Sequence, residues 1–210
     1  MNKKLVALID YGAGNLLSVK RAFEYLGSNV VITVNSKEVE KADFLVLPGV
    51  GAYKNAMKAL GEKKLINTIR KYSQDSRPLL GICLGMQLLL DSSQEFGECQ
   101  GLAIIPGAVR SLPSQLGCGK LVRVPSVGWY QLNPIHNDDN LIKASSHKFF
   151  YFVHSYASYV KDESHCVANY VYSDLTVPAI IKQRNTYGFQ FHPEKSGDAG
   201  LILIEQFLKT

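Results

Sequence analysis

The residues best suited to chemistry are Gly81-Ile82-Cys83-Leu84-Gly85-Met86-Gln87, which join an apolar run to a helix-forming run. Glycines stand two before and two after the cysteine. This is the spacing of a nucleophile elbow, with Cys in place of Ser. Such a turn is tight enough that its neighbours must lack side chains. It pushes the nucleophile to the carboxyl end of a sheet, at a helix N-terminus, where backbone N–H groups favour a thiolate. The N–H of Leu84 is then placed to bond an oxyanion. A buried structural cysteine is the commoner fate of a lone Cys, but the paired glycines favour the functional reading. A thiol nucleophile needs a base, and the base needs an orienting group. His136, His147, His154, His165 and His192 are the candidates. His192 stands out because it follows the strand-like Tyr187–Phe191 and precedes Pro193-Glu194. Pro193 ends the strand, and the Glu194 carboxylate can reach back to one imidazole nitrogen while the other faces Cys83. His-Pro-Glu is unspecific by itself; paired with the elbow it specifies a Cys–His–Glu triad.

Two glycine loops accompany these motifs. Pro48-Gly49-Val50-Gly51 follows an apolar run. Alone it reads as an ordinary strand-to-helix turn. Beside the nucleophile it can present the backbone of Val50 and Gly51 to a tetrahedral oxyanion. Tyr11-Gly12-Ala13-Gly14-Asn15 fails the dinucleotide fingerprint, because Leu17 stands where a third glycine is required. It reads as a tight turn.

The elements that must position these residues alternate in period. Residues 4–9, 30–34, 44–47 and 79–83 are short apolar runs of buried-strand type. Residues 15–26, 52–60, 62–73 and 85–91 have helical spacing, and Gly27 closes the first helix. Strands alternating with helices imply a parallel sheet covered on both faces. Residues 102–135, with Pro106, Pro113, Pro125 and Pro134, read as loops and short strands. Residues 148–160, 165–172, 178–184 and 187–191 are β-branched and aromatic, and read as antiparallel strands appended to the same sheet. A helix from about 199 to 209 ends the chain. The expected fold is α/β, with one domain over residues 1–210.

Composition excludes several classes. With 210 residues and 46% hydrophobic content, the chain can bury a core without staples. A net charge of +5, scattered along the chain, suits an anionic substrate but is too weak to argue for nucleic acid. Cys83, Cys99, Cys118 and Cys166 form no C-x-x-C pair, so no zinc site is expected. No stretch nears the ~18 apolar residues of a membrane span. The N-terminal apolar run is too short for a signal peptide, and a cytoplasmic, reduced, soluble protein is expected.

The motifs taken together resemble class I (triad) glutamine amidotransferases. Within them the chain is similar to glutaminase subunits of imidazole glycerol phosphate synthases. The resemblance runs from Ile9 to the C-terminus. It rests on I-D-Y-G-A-G-N, L-P-G-V-G-A-Y, G-I-C-L-G-M-Q, V-G-W at 127–129, Y-F-V-H-S-Y at 151–156 and F-Q-F-H-P-E-K-S-G. It implies a flavodoxin-like, mostly parallel sheet with helices on both faces and an added antiparallel β-region. It also implies that Cys83 attacks the amide carbon of L-glutamine, His192 moves the proton and Glu194 orients His192. Val50, Gly51 and Leu84 would surround the oxyanion. Gly51, Gln87, Glu95, Ser155 and Tyr156 would hold glutamine. A TIM-barrel cyclase subunit would take the ammonia in a heterodimer, making imidazole glycerol phosphate and AICAR in histidine biosynthesis, with Trp129 and Lys195 at the interface. No cofactor is implied. Many family members read Pro-His-x-Gly-Trp-Asn where this chain has Ser126 and Tyr130. Those two residues are expected near the partner face. The alternative partner is a synthase that aminates or amidinates a bacterial surface sugar. A cysteine peptidase or other acyl hydrolase, a silent binding module and a thiol redox sensor are the rivals from other classes.

Overall fold

A computed structural model describes residues 3–135 and 140–210. The chain begins with β1 (Leu5–Ile9), α1 (Leu16–Tyr25), β2 (Asn29–Thr33), α2 (Ser36–Lys41), β3 (Phe44–Gly49), α3 (Tyr53–Glu62), α4 (Ile66–Gln74), β4 (Leu79–Cys83) and α5 (Leu84–Leu88). Short strands follow: β5 (Ser92–Ser93), β6 (Cys99–Gln100), β7 (Gly107–Ser111), β8 (Ser126–Gln131) and β9 (Asn133–Pro134). Then come α6 (Asn140–Ser145), β10 (Phe149–His154), β11 (Tyr156–Val160), β12 (Cys166–Tyr172), β13 (Leu175–Gln183), β14 (Thr186–Phe189) and α7 (Gly197–Phe207).

The main sheet has the order β2-β1-β3-β4-β14-β13-β12-β9. The first five strands run parallel and the last three are antiparallel. The parallel half therefore has the flavodoxin-like order, with β14 supplying the fifth strand from far along the chain. Side chains alternate across a strand, and the two cores divide accordingly. Val6, Leu8, Val46, Leu80 and Ile82 pack with Val19 and Phe23 of α1 and Ile204 and Phe207 of α7. Ala7, Ile9, Leu45, Leu47 and Leu79 pack with Val39, Leu60, Ile69 and Leu88 from α2–α5.

Three expectations are corrected. Residues 148–160 do not join the main sheet: β10 pairs with β8 in a two-stranded ribbon, and β11 pairs with β7 in a separate sheet. β14 is antiparallel only to β13 and runs parallel to β4. The helix expected over 85–91 is the five-residue α5, continued by tighter turns in which Leu89 N–H bonds Met86 O and Leu90 N–H bonds Gln87 O.

Register places the site. Gly49 on β3 pairs with Cys83 on β4, and Ile82 pairs with Phe189 on β14. The 48–51 loop and the 190–194 segment thus leave the sheet at one edge, on either side of Cys83.

Candidate active site

Cys83 ends β4 with φ 53° and ψ −108°, a region costly for any side-chain-bearing residue. Such strain costs roughly 1–3 kcal/mol and persists only where surroundings enforce it. The enforcement is visible at both glycines. A Cβ on Gly81 would lie 2.6 Å from Gly85 O and 2.7 Å from Met86 N. One on Gly85 would collide with the carbonyl of Leu47 on β3. Strand and helix are pressed backbone to backbone, and Cys83 turns the corner between them, 6% exposed.

His192 and Glu194 meet behind it. His192 Nδ1 lies 2.8 Å from Glu194 Oε1, with the two side chains 4% and 2% exposed. An ionised carboxylate only accepts, so Nδ1 carries the proton and Nε2 is left for other work. Among the described residues neither Nε2 nor Glu194 Oε2 has a hydrogen-bond partner. The backbone holds the ring: His192 N–H donates to Tyr151 O at 2.9 Å, and Ser196 Oγ donates to His192 O at 2.6 Å. Burial works against a charged imidazole here. The Cys83 and Glu194 side chains outweigh it and hold the His192 pKa up to about 9. The arrangement favours a charged imidazolium at His192.

In front of Cys83 lies a cavity of about 390 Å³. It brings together Val50, Gly51, Leu84, Gln87, Glu95, Ser155 and Tyr156, all the residues the sequence assigned to oxyanion and substrate, and adds Pro125, Val153 and His154. A larger cavity of about 540 Å³, lined by Tyr159, Cys166 and Pro178 among others, holds none of them. Glu95 Oε2 accepts the N–H of Tyr53 at 2.6 Å, capping α3, which has no side-chain cap of its own. Gln87 is 6% exposed, and its Nε2 donates to Tyr156 O at 2.9 Å and Gln190 Oε1 at 3.2 Å. Both its N–H groups are thereby used, so it can offer a ligand only its oxygen.

The other histidines separate clearly. His147 is exposed and sits 3.3 Å from Gln131 Nε2. His165 lies in the 163–165 turn, and His136 lies outside the described residues. His154 lines the cavity. Its Nδ1 donates to Tyr156 O at 2.8 Å, so its Nε2 accepts from the Tyr170 hydroxyl, also at 2.8 Å. Burial pushes its pKa down to about 4, which keeps it neutral. Sequence reasoning also missed Tyr11. Its buried hydroxyl donates to Pro48 O at 2.7 Å and occupies the place a side chain at Gly49 would need. Burial, then the neighbouring Cys83, raise its pKa.

On the β8/β10 ribbon, Val127 pairs with Val153 and Trp129 with Tyr151. Trp129 is 53% exposed and packs on the Tyr151 ring at 5.9 Å. Lys195 is exposed as well. Ser126 is not at this face, and the expectation is corrected. It is wholly buried, 3.1 Å from the Tyr170 hydroxyl, because its side chain takes the core side of the ribbon. Tyr130 is half-buried, its ring against Phe152, Tyr170 and Tyr172. All four cysteines are unpaired, and the described residues contain no cluster suited to a metal ion. No described helix is long and apolar enough to cross a membrane.

A strained cysteine at the carboxyl edge of a flavodoxin-like sheet, backed by a buried His–Glu pair, is an arrangement suited to nucleophilic acyl transfer. The chain belongs to the class-I glutamine amidotransferase family, whose model matches residues 7–209. It is 42% identical over 209 residues to imidazole glycerol phosphate synthase subunit HisH 1 of Legionella pneumophila, covering 97% of this chain and 98% of that one. It is 39% identical over 209 residues to the HisH subunit of Bacillus cereus, covering 97% and 93%. Among solved structures, that of PurLQS from Thermotoga maritima superposes with a TM-score of 0.75 at 18% identity, covering 99% of each chain, a likeness of fold.

Proposed function

We propose that this chain, as one glutaminase domain, is the cytoplasmic glutaminase subunit of an imidazole glycerol phosphate synthase. It hydrolyses L-glutamine to glutamate and ammonia, and passes the ammonia to a TIM-barrel cyclase subunit that makes imidazole glycerol phosphate and AICAR in histidine biosynthesis. Cys83 Sγ attacks the side-chain amide carbon, forming a C–S bond and an oxyanion beside Leu84 and the Val50–Gly51 loop. The His192 imidazolium gives its proton to the departing nitrogen; the C–N bond breaks and ammonia leaves. His192 then takes a proton from water, which attacks the thioester, and the C–S bond breaks to return the thiolate. Glu194 keeps the Nδ1–H tautomer and stabilises the imidazolium. Glu95 and the Gln87 oxygen are acceptors suited to the substrate's ammonium group.

The observation that carries the reading is the cavity beside Cys83, whose lining includes the seven residues that the sequence reading assigns to substrate and oxyanion, together with the buried His192–Glu194 pair. The relatives that share about 40% of its residues over nearly full length are named for this subunit. The strip of exposed Val127, Trp129 and Val153 with half-buried Tyr151 supports a docked partner near the site, where ammonia must not escape to water.

A glutamine-mimicking chloroketone should label Cys83 and spare Cys99, Cys118 and Cys166, and Cys83→Ala should abolish hydrolysis in a folded protein. Complementation decides the pathway. A bacterium with its own cyclase but lacking this subunit should grow without histidine at low ammonia. Failure despite expression, with glutaminase activity elicited by a sugar-modifying synthase, would reassign the partner. Turnover of peptides or esters in place of glutamine would reassign the chemistry.

A further inference from the structure

Gln190 is wholly buried, between Phe189 and Phe191 of the apolar core. A primary amide in such a place is costly unless both its ends are bonded. Its backbone N–H bonds Ala179 O at 2.9 Å, extending the β13–β14 pairing, so the sheet fixes its position. Its side chain reaches between α5 and the thiol. Nε2 lies 3.8 Å from Cys83 Sγ as a donor, and Oε1 accepts from Gln87 Nε2 at 3.2 Å.

The nitrogen and oxygen of an amide are alike in shape, so bonding must tell them apart. Here it does. Tyr156 O is a backbone carbonyl and can only accept. It receives His154 Nδ1 at 2.8 Å and Gln87 Nε2 at 2.9 Å, which fills both lone pairs. Gln87 therefore turns its nitrogen to Tyr156, and the second proton of that nitrogen points at Gln190. Gln190 must present its oxygen there, which leaves its N–H for the sulfur. A run of bonds anchored on one carbonyl ends as a donor on Sγ.

We propose that Gln190 is a catalytic residue that donates its side-chain N–H to the Cys83 thiolate and stabilises it. The proposal rests on the reading of Cys83 as the nucleophile. A donor bonded to an anionic sulfur gains charge assistance that a neutral thiol does not provide, so the bond favours the anion. The titratable groups around the sulfur are His192, which supplies the countercharge, Tyr11 from the loop after β1, and, lining the same cavity, His154 and Glu95, a carboxylate that accepts the Tyr53 N–H and offers the sulfur no donor. Tyr11 spends its proton on Pro48 O, and neutral His154 spends its proton on Tyr156 O. That leaves Gln190 as the uncharged donor to Sγ among the described residues.

The test alkylates the full-length chain with iodoacetamide across pH 5–10 and follows the Cys83 peptide by mass spectrometry. Gln190→Met keeps length and removes the donor. Gln190→Glu keeps an acceptor for Gln87 and removes the donor. The alkylation midpoint should rise by about one pH unit in the methionine variant, a tenfold loss of thiolate near neutrality, and further in the glutamate variant. An unchanged midpoint in either folded variant overturns the proposal. In the unaltered protein, the Gln190 side-chain N–H resonance should move with the same midpoint and stop moving in Cys83→Ala; a resonance flat over that range also overturns it. If the chloroketone fails to label Cys83 in the unaltered chain, the nucleophile reading falls, and this one with it. Labelling with an unmoved midpoint fells this one alone.

Discussion

Replacing Gly85 by alanine adds a single methyl group, on the helix that begins directly after Cys83. The added Cβ would overlap the Leu47 carbonyl oxygen and lie 2.8 Å from its carbon, where carbon–carbon contacts relax only near 3.5 Å. Leu47 cannot retreat: it is paired with Gly81 in the middle of the parallel sheet. α5 must move instead, by roughly 1 Å, and carry Cys83 with it. Overpacking usually costs about 1–3 kcal/mol. Backbone against backbone puts this case near 3 kcal/mol, or a fall in Tm of about 6–12 °C for a chain of this size. A 1 Å displacement of the nucleophile should lower the hydrolytic rate about 100-fold. Two other glycines calibrate the result. Gly51 has φ 106° and open space at its Cβ position, so Gly51→Ala pays only backbone strain, about 1–2 kcal/mol. Gly61 lies in α3, where a Cβ meets Ile66 Cδ1 at an ordinary 3.7 Å, so Gly61→Ala should stabilise by up to about 1 kcal/mol. Urea denaturation and steady-state glutamine hydrolysis read both quantities. A Gly85→Ala protein as stable and active as the parent, or destabilised no more than Gly51→Ala, would refute the steric account of the elbow.

His192→Ala should cost about 10²–10⁴ in rate, and Glu194→Gln clearly less, because only His192 moves the proton; equal and mild losses would contradict the triad. The His192 pKa, near 9 against an ordinary 6.5, means that the native state keeps a proton the unfolded chain releases. Its contribution, on the order of 3 kcal/mol, is fully present below pH 6.5 and lost as pH rises through 9. Urea denaturation at pH 6.5 and 9.5 should show that decline, and Cys83→Ala should flatten it. His154, depressed to about 4 by burial, acts oppositely: its contribution is present above pH 6.5 and lost as pH falls through 4, so stability at pH 5 should be less acid-sensitive in His154→Gln. Trp129→Ala should change stability by less than ~1 kcal/mol, yet weaken binding of the cyclase subunit by about 2 kcal/mol or more in calorimetry; unaltered affinity would move the docking face elsewhere.

Much of this was legible because the parallel half of the sheet writes itself locally. Apolar runs at 4–9, 44–47 and 79–83 fall on β1, β3 and β4, and the glycines around Cys83 are demanded by contacts within that same turn. Pairing partners were not legible. K-F-F-Y-F-V-H-S-Y-A-S-Y-V reads as one aromatic stretch, but Ser155 divides it into strands that join different sheets. Alternation reports which side faces the core and nothing about which strand lies alongside. β14 reads as antiparallel in the sequence because its near neighbour β13 is local, while its parallel partner β4 lies far back in the chain. α2 gave no signal, since only Val39 of its six residues is buried. Gln190 and Ser126 look like solvent-facing polar positions in alternating strands. Each instead points to a covered side, Gln190 toward α5 and Ser126 toward the core side of its ribbon, so each is an interior polar group with a bonded task.

The β10 strand ties the proposed docking face to the chemistry. Its alternate side chains divide the work: Phe150 and Phe152 enter the core, while Tyr151 and Val153 join the outward strip with Trp129 and Val127. Its carbonyls face the site. Tyr151 O holds the His192 backbone N–H at 2.9 Å, and Val153 O lies 4.0 Å from Cys83 Sγ. A load on the Trp129–Tyr151 pair therefore reaches the base through one hydrogen bond, in packing dense enough to transmit displacement.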